Sequence, residues 1–461
     1  MPADNGYFGG TIFHVGETVG AGFAYANNTT RTSNPRVVTF HVKGADGVTV
    51  TDLGKPYGDE TAFGLVVING ELVADAYSPG AVPRRYDNAS GKWRDVAHPG
   101  SGVPVDFIVI DGKMLWLYPA GTNLFYDRSA ITGDPRWAGK QPYQVTYLHE
   151  KLYVHVDGGG ASDYTYVCEW APGRDAVSNC VEIPFNREAW PYTRFPASSG
   201  IGIADSSGNV KHLYDGTHQF DVLRAADHES WQVYSSLLYD DTLWMGHFPS
   251  GNLIEWSRLA PMSPAIGKQP ASDAYGREAQ SLGIHMGEIV VGMWPFGEIW
   301  SGKPGDEFAL LTRVFPYPAV ASGTEPFTAE ALAAGQPYNA LGQRIFGIAN
   351  WREGIAVAAT MKHPNHAVAL NQLSEAERAP YGSVFLIQQD YELSCEIRGS
   401  GQMELAFVVT TTEMQIKKDG AVLCSQPIAS SSLASLGGPI TIGAGPWGGI
   451  NGTISGVTIE R

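Results

Sequence analysis

Two histidines, a tyrosine and an arginine are the residues of this sequence whose side chains could act together as a catalytic set. His155 and His247 can accept or donate a proton near neutral pH, and Tyr143 can do so if its pKa is lowered. The guanidinium fork of Arg277 suits a carboxylate. Because neutralising a uronate carboxylate makes its α-proton removable, this set predicts β-elimination of an acidic polysaccharide.

A second set of polar and aromatic residues has side chains suited to holding a sugar. We predict that its members bind substrate: Tyr118, Gln144, Trp231, Gln232, Glu278, Gln280 and Trp294. The two tryptophans can stack on sugar rings, and the amides can hydrogen bond to hydroxyl groups. The alternative for each residue is an ordinary rim or channel position with its hydrogen bonds satisfied.

A repeated hairpin must position these residues. An apolar run, a tight turn and a second apolar run recur around Asn69-Gly70, Asp111-Gly112, His149-Glu150, Asp240-Asp241 and Met286-Gly287, and more weakly near Ser207 and Arg352. Their mean spacing is 47 residues. Four-stranded propeller blades repeat at about 40–50 residues. The sequence therefore predicts an all-β fold with a seven-bladed β-propeller.

The propeller also predicts where a site lies. Connections between blades and connections between second and third strands open on one face, here named the upper face. The candidate residues stand at the start of a first strand or the end of a second strand, so they are expected at that face.

The composition limits the fold and the partners. The chain has 461 residues with 55 glycines and 29 prolines, too many turn residues for a helical bundle. The net charge of −16 argues against nucleic acid as a partner, and no apolar run is long enough for membrane insertion. The N-terminus lacks the features of a signal peptide. We expect an extracellular or virion-associated protein whose partner is a polysaccharide or surface glycan.

The pattern of repeated hairpins in the sequence ends near residue 362. We expect the propeller over 1–362, a linker with a short helix over 363–382, and a small C-terminal β-sandwich over 383–461. The closing stretch WGGINGTISGVTIE resembles the last strands of laminin-G and concanavalin-like jelly rolls. That resemblance implies a jelly-roll-like sandwich of the kind that serves as a glycan or protein adhesion unit.

The four cysteines fall in two local pairs. Cys168 and Cys180 flank a Pro-Gly turn, and Cys395 and Cys424 lie in the last hundred residues. Two disulfides in an oxidising setting are one interpretation, and four reduced thiols are the other. Cys168 and Cys180 could also share a metal with histidines. No cofactor is required by the sequence, although a structural calcium or zinc ion is compatible with a propeller channel.

Histidines, a tyrosine and an arginine on one face of a seven-unit propeller resemble the propeller polysaccharide lyases, the ulvan lyases and the rhamnose-glucuronate lyases. The resemblance spans roughly residues 10 to 362 and implies β-elimination of a uronate-containing polysaccharide. The alternative is a non-catalytic recognition protein, such as a phage virion or tail protein or a cell-surface adhesin, which binds a glycan or receptor. His155 and His247 are 92 residues apart, a spacing that departs from that of those families.

Overall fold

The computed structural model describes the greater part of residues 48–427 and two short stretches before them. The described ranges are 22–23, 37–41, 48–59, 63–68, 70–76, 81–110, 113–119, 123–148, 151–157, 162–186, 191–197, 200–205, 209–214, 220–224, 232–239, 242–248, 251–255, 260–262, 278–285, 288–294, 296–306, 308–317, 342–352, 354–361, 370–389, 392–396, 404–410 and 412–427.

Three short strands precede the first sheet: β1 (Gly22–Phe23), β2 (Val37–His41) and β3 (Val48–Asp52). The first sheet contains β4 (Phe63–Ile68), β5 (Glu71–Ala76), β6 (Arg84–Asp87) and β7 (Lys92–Asp95). The second contains β8 (Asp106–Ile110), β9 (Lys113–Leu117), β10 (Asn123–Tyr126) and β11 (Ser129–Thr132). A 3₁₀ turn, Pro135–Trp137, follows it.

The next three sheets have the same sequential order. The third contains β12 (Gln141–Leu148), β13 (Lys151–Asp157), β14 (Ser162–Glu169) and β15 (Ser178–Asn186). The fourth contains β16 (Pro191–Ala197), β17 (Gly200–Asp205), β18 (Asn209–Tyr214) and β19 (Phe220–Arg224). The fifth contains β20 (Gln232–Tyr239), β21 (Thr242–Phe248), β22 (Leu253–Glu255) and β23 (Ala260–Met262), with β1 paired to β20.

The last two large sheets complete the set. The sixth contains β24 (Glu278–His285), β25 (Glu288–Trp294), β26 (Glu298–Gly302) and β27 (Ala309–Arg313). The seventh contains β28 (Gln343–Trp351), β29 (Gly354–Met361), β30 (Ser383–Gln389) and the early strand β3. All strand pairs in these sheets are antiparallel. The described residues thus form seven sheets of four or more strands, and the predicted all-β propeller class is confirmed.

The turn signals explain the hairpins. Ile68 pairs with Glu71 across a two-residue turn in which Gly70 has φ of +81°, a conformation that glycine adopts without strain. Six of the seven predicted hairpins join the first two strands of a sheet. The seventh hairpin, near Ser207, joins β17 to β18, the second and third strands of the fourth sheet.

The apolar faces pack sheet against sheet around a ring. Separate clusters of buried residues join the first sheet to the second, the second to the third, the fifth to the sixth and the sixth to the seventh. A further cluster joins the seventh sheet back to the first, through residues such as Trp351 and Leu72. The first strands lie beside one another, β28 next to both β24 and β4, so they form the inner layer of the propeller.

The closure of the ring corrects the predicted domain boundary. Strand β30, Ser383–Gln389, was assigned to the C-terminal sandwich, but it pairs with β29 and β3 inside the seventh sheet. The predicted short helix does precede it, as α1 (Glu375–Arg378), which begins with a capping box between Ser374 and Glu377. The early strand β3 therefore supplies the outer edge of the seventh sheet.

The chain beyond the seventh sheet forms further antiparallel pairs. Strand β31 (Glu392–Glu396) pairs with β2, and β32 (Leu405–Val409), β33 (Glu413–Lys418) and β34 (Ala421–Pro427) form a three-stranded sheet. The closing motif, within 428–461, lies outside the described residues, so the jelly-roll-like sandwich stays a prediction.

The first predicted cysteine pair is a disulfide. Cys168 and Cys180 are joined across β14 and β15, the two strands on either side of the Pro-Gly turn. Cys424 is also disulfide-bonded, while the side chain of Cys395, its predicted partner, lies outside the described part of the chain. Among the helices that the structure describes, none is long and apolar enough to cross a membrane.

Candidate ligand site at the upper face

A shared irregularity marks the upper face of the propeller. In five of the seven sheets the pairing of the first two strands shifts by one residue near the start of the first strand. The residues at these bulges are Tyr143, Tyr192, Tyr234, Gln280 and Phe346. A bulge re-aims a side chain and is common beside functional sites. Two predicted site residues, Tyr143 and Gln280, occupy such positions.

Of the predicted catalytic set, the structure describes the side chain of one member, His155. His155 is buried, with 1% of its surface exposed, and its Nδ1 lies 2.7 Å from Thr165 Oγ1. Its backbone pairs with Gln144, which is also buried. The other three members, Tyr143, His247 and Arg277, have side chains outside the described residues. The described part of the chain therefore places no accessible base from this set at the upper face.

The predicted binding residues separate into three groups. Tyr118, Gln144, Glu278, Gln280 and Trp294 are all buried at the predicted ends of first or second strands. The side chain of Gln232 lies outside the described residues, although its backbone begins β20. Trp231 falls outside them entirely.

A buried ion pair joins the sixth and seventh sheets at this face. Arg344 Nη2 lies 2.5 Å from Glu278 Oε2, and both side chains are almost completely excluded from solvent. The Arg344 guanidinium also lies over the rings of Tyr234 and Phe346, 5.6 and 5.5 Å from their centroids. One guanidinium thus contacts side chains from three adjacent sheets.

The sequence contained a signal for Arg344 that the predictions missed. Arg344 is the second residue of β28, near the start of a first strand, and Glu278 is the first residue of β24. Arg277, the arginine that was predicted instead, precedes β24 and lies outside the described residues. Applying one positional rule to the seventh unit would have found it.

Four buried polar atoms of the sixth and seventh sheets have no hydrogen-bond partner in the part of the chain that the structure describes. They are both amide atoms of Gln280, the Nε of Arg344 and the hydroxyl of Thr360. Gln280 and Thr360 are fully buried, and the backbone of Thr360 pairs with that of Arg344. Because buried polar groups are nearly always paired, such a cluster needs an explanation.

A second set of polar residues joins the sixth and seventh sheets through hydrogen bonds. It adjoins the ion pair because one member, Gln343, precedes Arg344 in the chain. Arg313 donates to Gln343 Oε1 at 2.8 Å and to the Phe296 carbonyl at 2.7 Å. Gln343 Nε2 donates to the hydroxyl oxygen of Tyr381 at 2.8 Å. Burial lowers the pKa of Arg313 and raises that of Tyr381. These residues are polar but paired, whereas the Gln280 amide, the Thr360 hydroxyl and Arg344 Nε have no partner among the described residues.

A second polar centre lies at the upper face of the second sheet. The hydroxyl of Tyr118, at the end of β9, lies 2.9 Å from His98 Nδ1 and accepts a hydrogen bond of 2.9 Å from the Gly100 amide. His98 and Gly100 belong to the connection between β7 and β8. Tyr118 is 2% exposed, whereas His98 is partly exposed. The predictions included Tyr118 but not its histidine partner.

The hydrogen bonds of Tyr118 bear on the tautomer of His98, that is, on which ring nitrogen carries the proton. The Tyr118 oxygen already accepts the Gly100 N–H, and burial raises the pKa of Tyr118, so its hydroxyl keeps its proton. That proton needs an acceptor, and the described structure offers His98 Nδ1. With Tyr118 donating to Nδ1, the neutral ring is the tautomer that carries its proton on Nε2, where it is a hydrogen-bond donor.

No metal centre accompanies these groups in the part of the chain that the structure describes. No set of three or more His, Cys, Asp or Glu side chains is arranged there to hold an ion. The suggested calcium or zinc ion therefore has no ligand set among the described residues, and the metal interpretation of Cys168 and Cys180 is replaced by their disulfide.

Several solved β-propellers are similar to this chain in fold. A catalytically inactive virginiamycin B lyase from Staphylococcus aureus with quinupristin is 11% identical, with a TM-score of 0.43 over 74% of this chain and 100% of that one. The Neurospora crassa Pan2 WD40 domain is 11% identical, with a TM-score of 0.41 over 73% and 94%. The Cps50 (Swd1) β-propeller domain of Myceliophteria thermophila is 7% identical, with a TM-score of 0.41 over 74% and 100%. No protein-family model matches the sequence, and no curated protein matches it.

Proposed function

We propose that this protein is a glycan-directed recognition propeller that binds its ligand at the upper face of the second sheet. The observation that carries the proposal is the partly exposed His98, whose Nδ1 is held by buried Tyr118. A ring fixed in this way presents a preorganised Nε2–H donor. Hydroxyl and carboxylate oxygens, the common acceptors of glycans, suit such a donor.

Binding is favoured over β-elimination because of the proton positions. A base that removes a sugar proton needs a free lone pair at the ligand side, whereas neutral His98 has its lone pair on Nδ1, facing Tyr118. His155 is buried against Thr165. β-Elimination of a uronate-containing polysaccharide remains the second candidate, through His247, Tyr143 and Arg277.

The same proposal bears on the environment in which the protein works. A disulfide in a chain that recognises glycans suits an oxidising environment, such as the cell exterior or the surface of a virion. The net charge of −16 repels polyanions at long range. A polyanionic ligand would therefore need to be met by local donors such as His98.

The test uses two substitutions that mimic opposite halves of the histidine ring. His98→Asn keeps an acceptor near the Nδ1 position for Tyr118, whereas His98→Gln places an amide near the Nε2 position. Binding to polygalacturonate, alginate and uncharged dextran is measured by affinity electrophoresis and calorimetry. We expect His98→Asn to weaken binding about tenfold, the effect of about 1.4 kcal/mol, and His98→Gln to weaken it less.

The same polysaccharides separate the two candidate functions. Ultraviolet absorbance of unsaturated uronate products is followed with the wild type and with the His247→Ala and Arg277→Ala variants. Product formation that these variants abolish would establish the lyase. Equal glycan binding by the wild type and His98→Asn would instead remove His98 from the ligand site.

A further inference from the structure

We propose that Gln280, Arg344 and Thr360 form a second ligand site, within the propeller, for one uncharged polyhydroxy group such as a sugar ring or a small polyol. These residues belong to the sixth and seventh sheets. His98 instead lies in the connection that leads into the second sheet, and Tyr118 follows β9, the second strand of that sheet. The inference therefore goes beyond the proposed recognition site and does not depend on it.

The first argument is the concentration of unpaired groups. Among the described residues, both amide atoms of Gln280, Arg344 Nε and Thr360 Oγ1 have no hydrogen-bond partner. All three residues lie at the upper ends of their strands, and Arg344 and Thr360 are direct cross-strand neighbours. Departures from complete hydrogen bonding are expected where a protein keeps a site for function.

The backbone gives a second, independent argument. Gln280 is the extra residue of a bulge, whereas three of the other four bulges hold tyrosine and one holds phenylalanine. The sixth sheet thus has an amide at the position where the other four bulges have an aromatic residue. Because the bulge takes Gln280 out of the regular pairing of β24 and β25, its side chain is positioned differently from its neighbours.

The charges determine the class of ligand. Arg344 is already neutralised by Glu278 at 2.5 Å, so a buried carboxylate or phosphate would leave the centre with an uncompensated negative charge. The unpaired groups include donors on Gln280, Arg344 and Thr360, and acceptors on Gln280 and Thr360. Hydroxyl groups donate and accept together, which matches this mixture without adding charge.

The burial predicts slow binding. Gln280 and Thr360 are fully shielded from solvent, so side chains at the upper face must move before a ligand can contact them. Binding that requires a conformational change is slower than the ordinary range of association rates. We therefore expect sugars to associate more slowly with this site than with the partly exposed His98.

The experiment compares variants that remove the unpaired groups while keeping their size. Gln280→Met and Thr360→Val are tested for ligand-induced rises in Tm with glucose, galactose, mannose and glycerol, and with glucuronate as the charged match for glucose. Asn350→Leu is the control, because Asn350 carries another unpaired buried oxygen in β28 but lies at the opposite end of that strand.

We expect at least one neutral ligand to raise the Tm of the wild type and of the control, and glucuronate to raise it less than glucose. Gln280→Met and Thr360→Val should lose that rise while the free variants stay as stable as the wild type or become more stable. The proposal is overturned if no neutral ligand acts, if glucuronate acts more strongly, or if both variants keep the rise. A loss of stability in both free variants would also overturn it, since the groups would then be structural.

Discussion

Two polar centres at the same face of the propeller are built in opposite ways. At the second sheet, Tyr118 is buried and its hydroxyl is fully paired, between the Gly100 amide and His98. At the sixth and seventh sheets, Arg344 pairs through one nitrogen with Glu278, while its Nε and the Gln280 amide have no partner among the described residues. The first centre uses burial to orient an exposed group, and the second keeps charge and unpaired groups inside.

The comparison indicates at which centre the same groups serve stability and ligand binding, and at which centre the two properties conflict. In the second sheet, the hydrogen bonds that stabilise Tyr118 are also those that orient His98, so one substitution should damage both properties. Beside Arg344, the unpaired amide of Gln280 lowers the free energy of unfolding rather than raising it. Removing it should therefore separate stability from ligand binding.

The largest effect is expected where the buried charge pair is broken. Arg344→Met leaves the fully buried Glu278 without its cation, which should reduce the free energy of unfolding by about 3–5 kcal/mol. Chemical denaturation measures the change. The double variant Arg344→Met, Glu278→Leu removes both charges and should recover most of the loss. A single variant as stable as the wild type would show that the pair is not excluded from water.

A smaller effect is expected at the paired centre. A Cβ atom added at Gly100 would lie 2.4 Å from Tyr118 Cζ, so Gly100→Ala must displace the ring. We expect a loss of about 1–3 kcal/mol, since overpacking of a buried site has that cost. Glycan binding should weaken at the same time, because His98 loses its support.

The matched control for Gly100 is Gly58. An added Cβ there meets no atom within 4 Å, so Gly58→Ala should change stability by less than about 0.5 kcal/mol. If Gly100→Ala leaves glycan affinity unchanged while lowering Tm, the orientation of His98 does not depend on Tyr118.

The pH dependence should differ between the two regions. Burial raises the pKa of Tyr381, which lies just before β30, and, by less, that of Tyr118. An unfolded tyrosine ionises at about pH 10, so stability present below that pH is lost as the pH rises toward the folded value. Tyr381→Phe should therefore flatten the alkaline decline of Tm more than Tyr118→Phe does. The opposite order would contradict the burial of Tyr381.

The hairpins could be predicted because their signals are local. Alternating apolar runs around Asn-Gly or Asp-Gly fix two adjacent strands, as at Gly70. The same signal does not tell which strands of a sheet it joins: the hairpin near Ser207 joins a second and a third strand, whereas the hairpin at Gly70 joins the first two. The pairing of β3 with β30 joins distant parts of the chain, and no local pattern carries it.

The strand-end positions of the candidate residues could be predicted from the sequence, but their partners could not. The rule that selected strand ends includes Tyr118, Glu278 and Gln280, all of which lie at the upper face. His98 lies in a connection without periodicity, and only the folded chain brings its ring to Tyr118. Whether a histidine is exposed or buried, as His155 is, depends on neighbouring sheets and so was not readable from the sequence.

The smallest effect is expected where charges pair in water, and it provides the reference for the buried pair. Arg85 Nη1 lies 3.1 Å from Glu71 Oε1 in the first sheet, with about half of each side chain exposed, 48% and 51%. Because water and salt screen such a pair, Arg85→Met should cost about 0–1 kcal/mol, and less as salt is added. The loss from Arg344→Met should instead depend little on salt. Equal losses from the two substitutions would mean that burial does not distinguish the two pairs, and the argument for a charge-neutral site around Gln280 would fail with it.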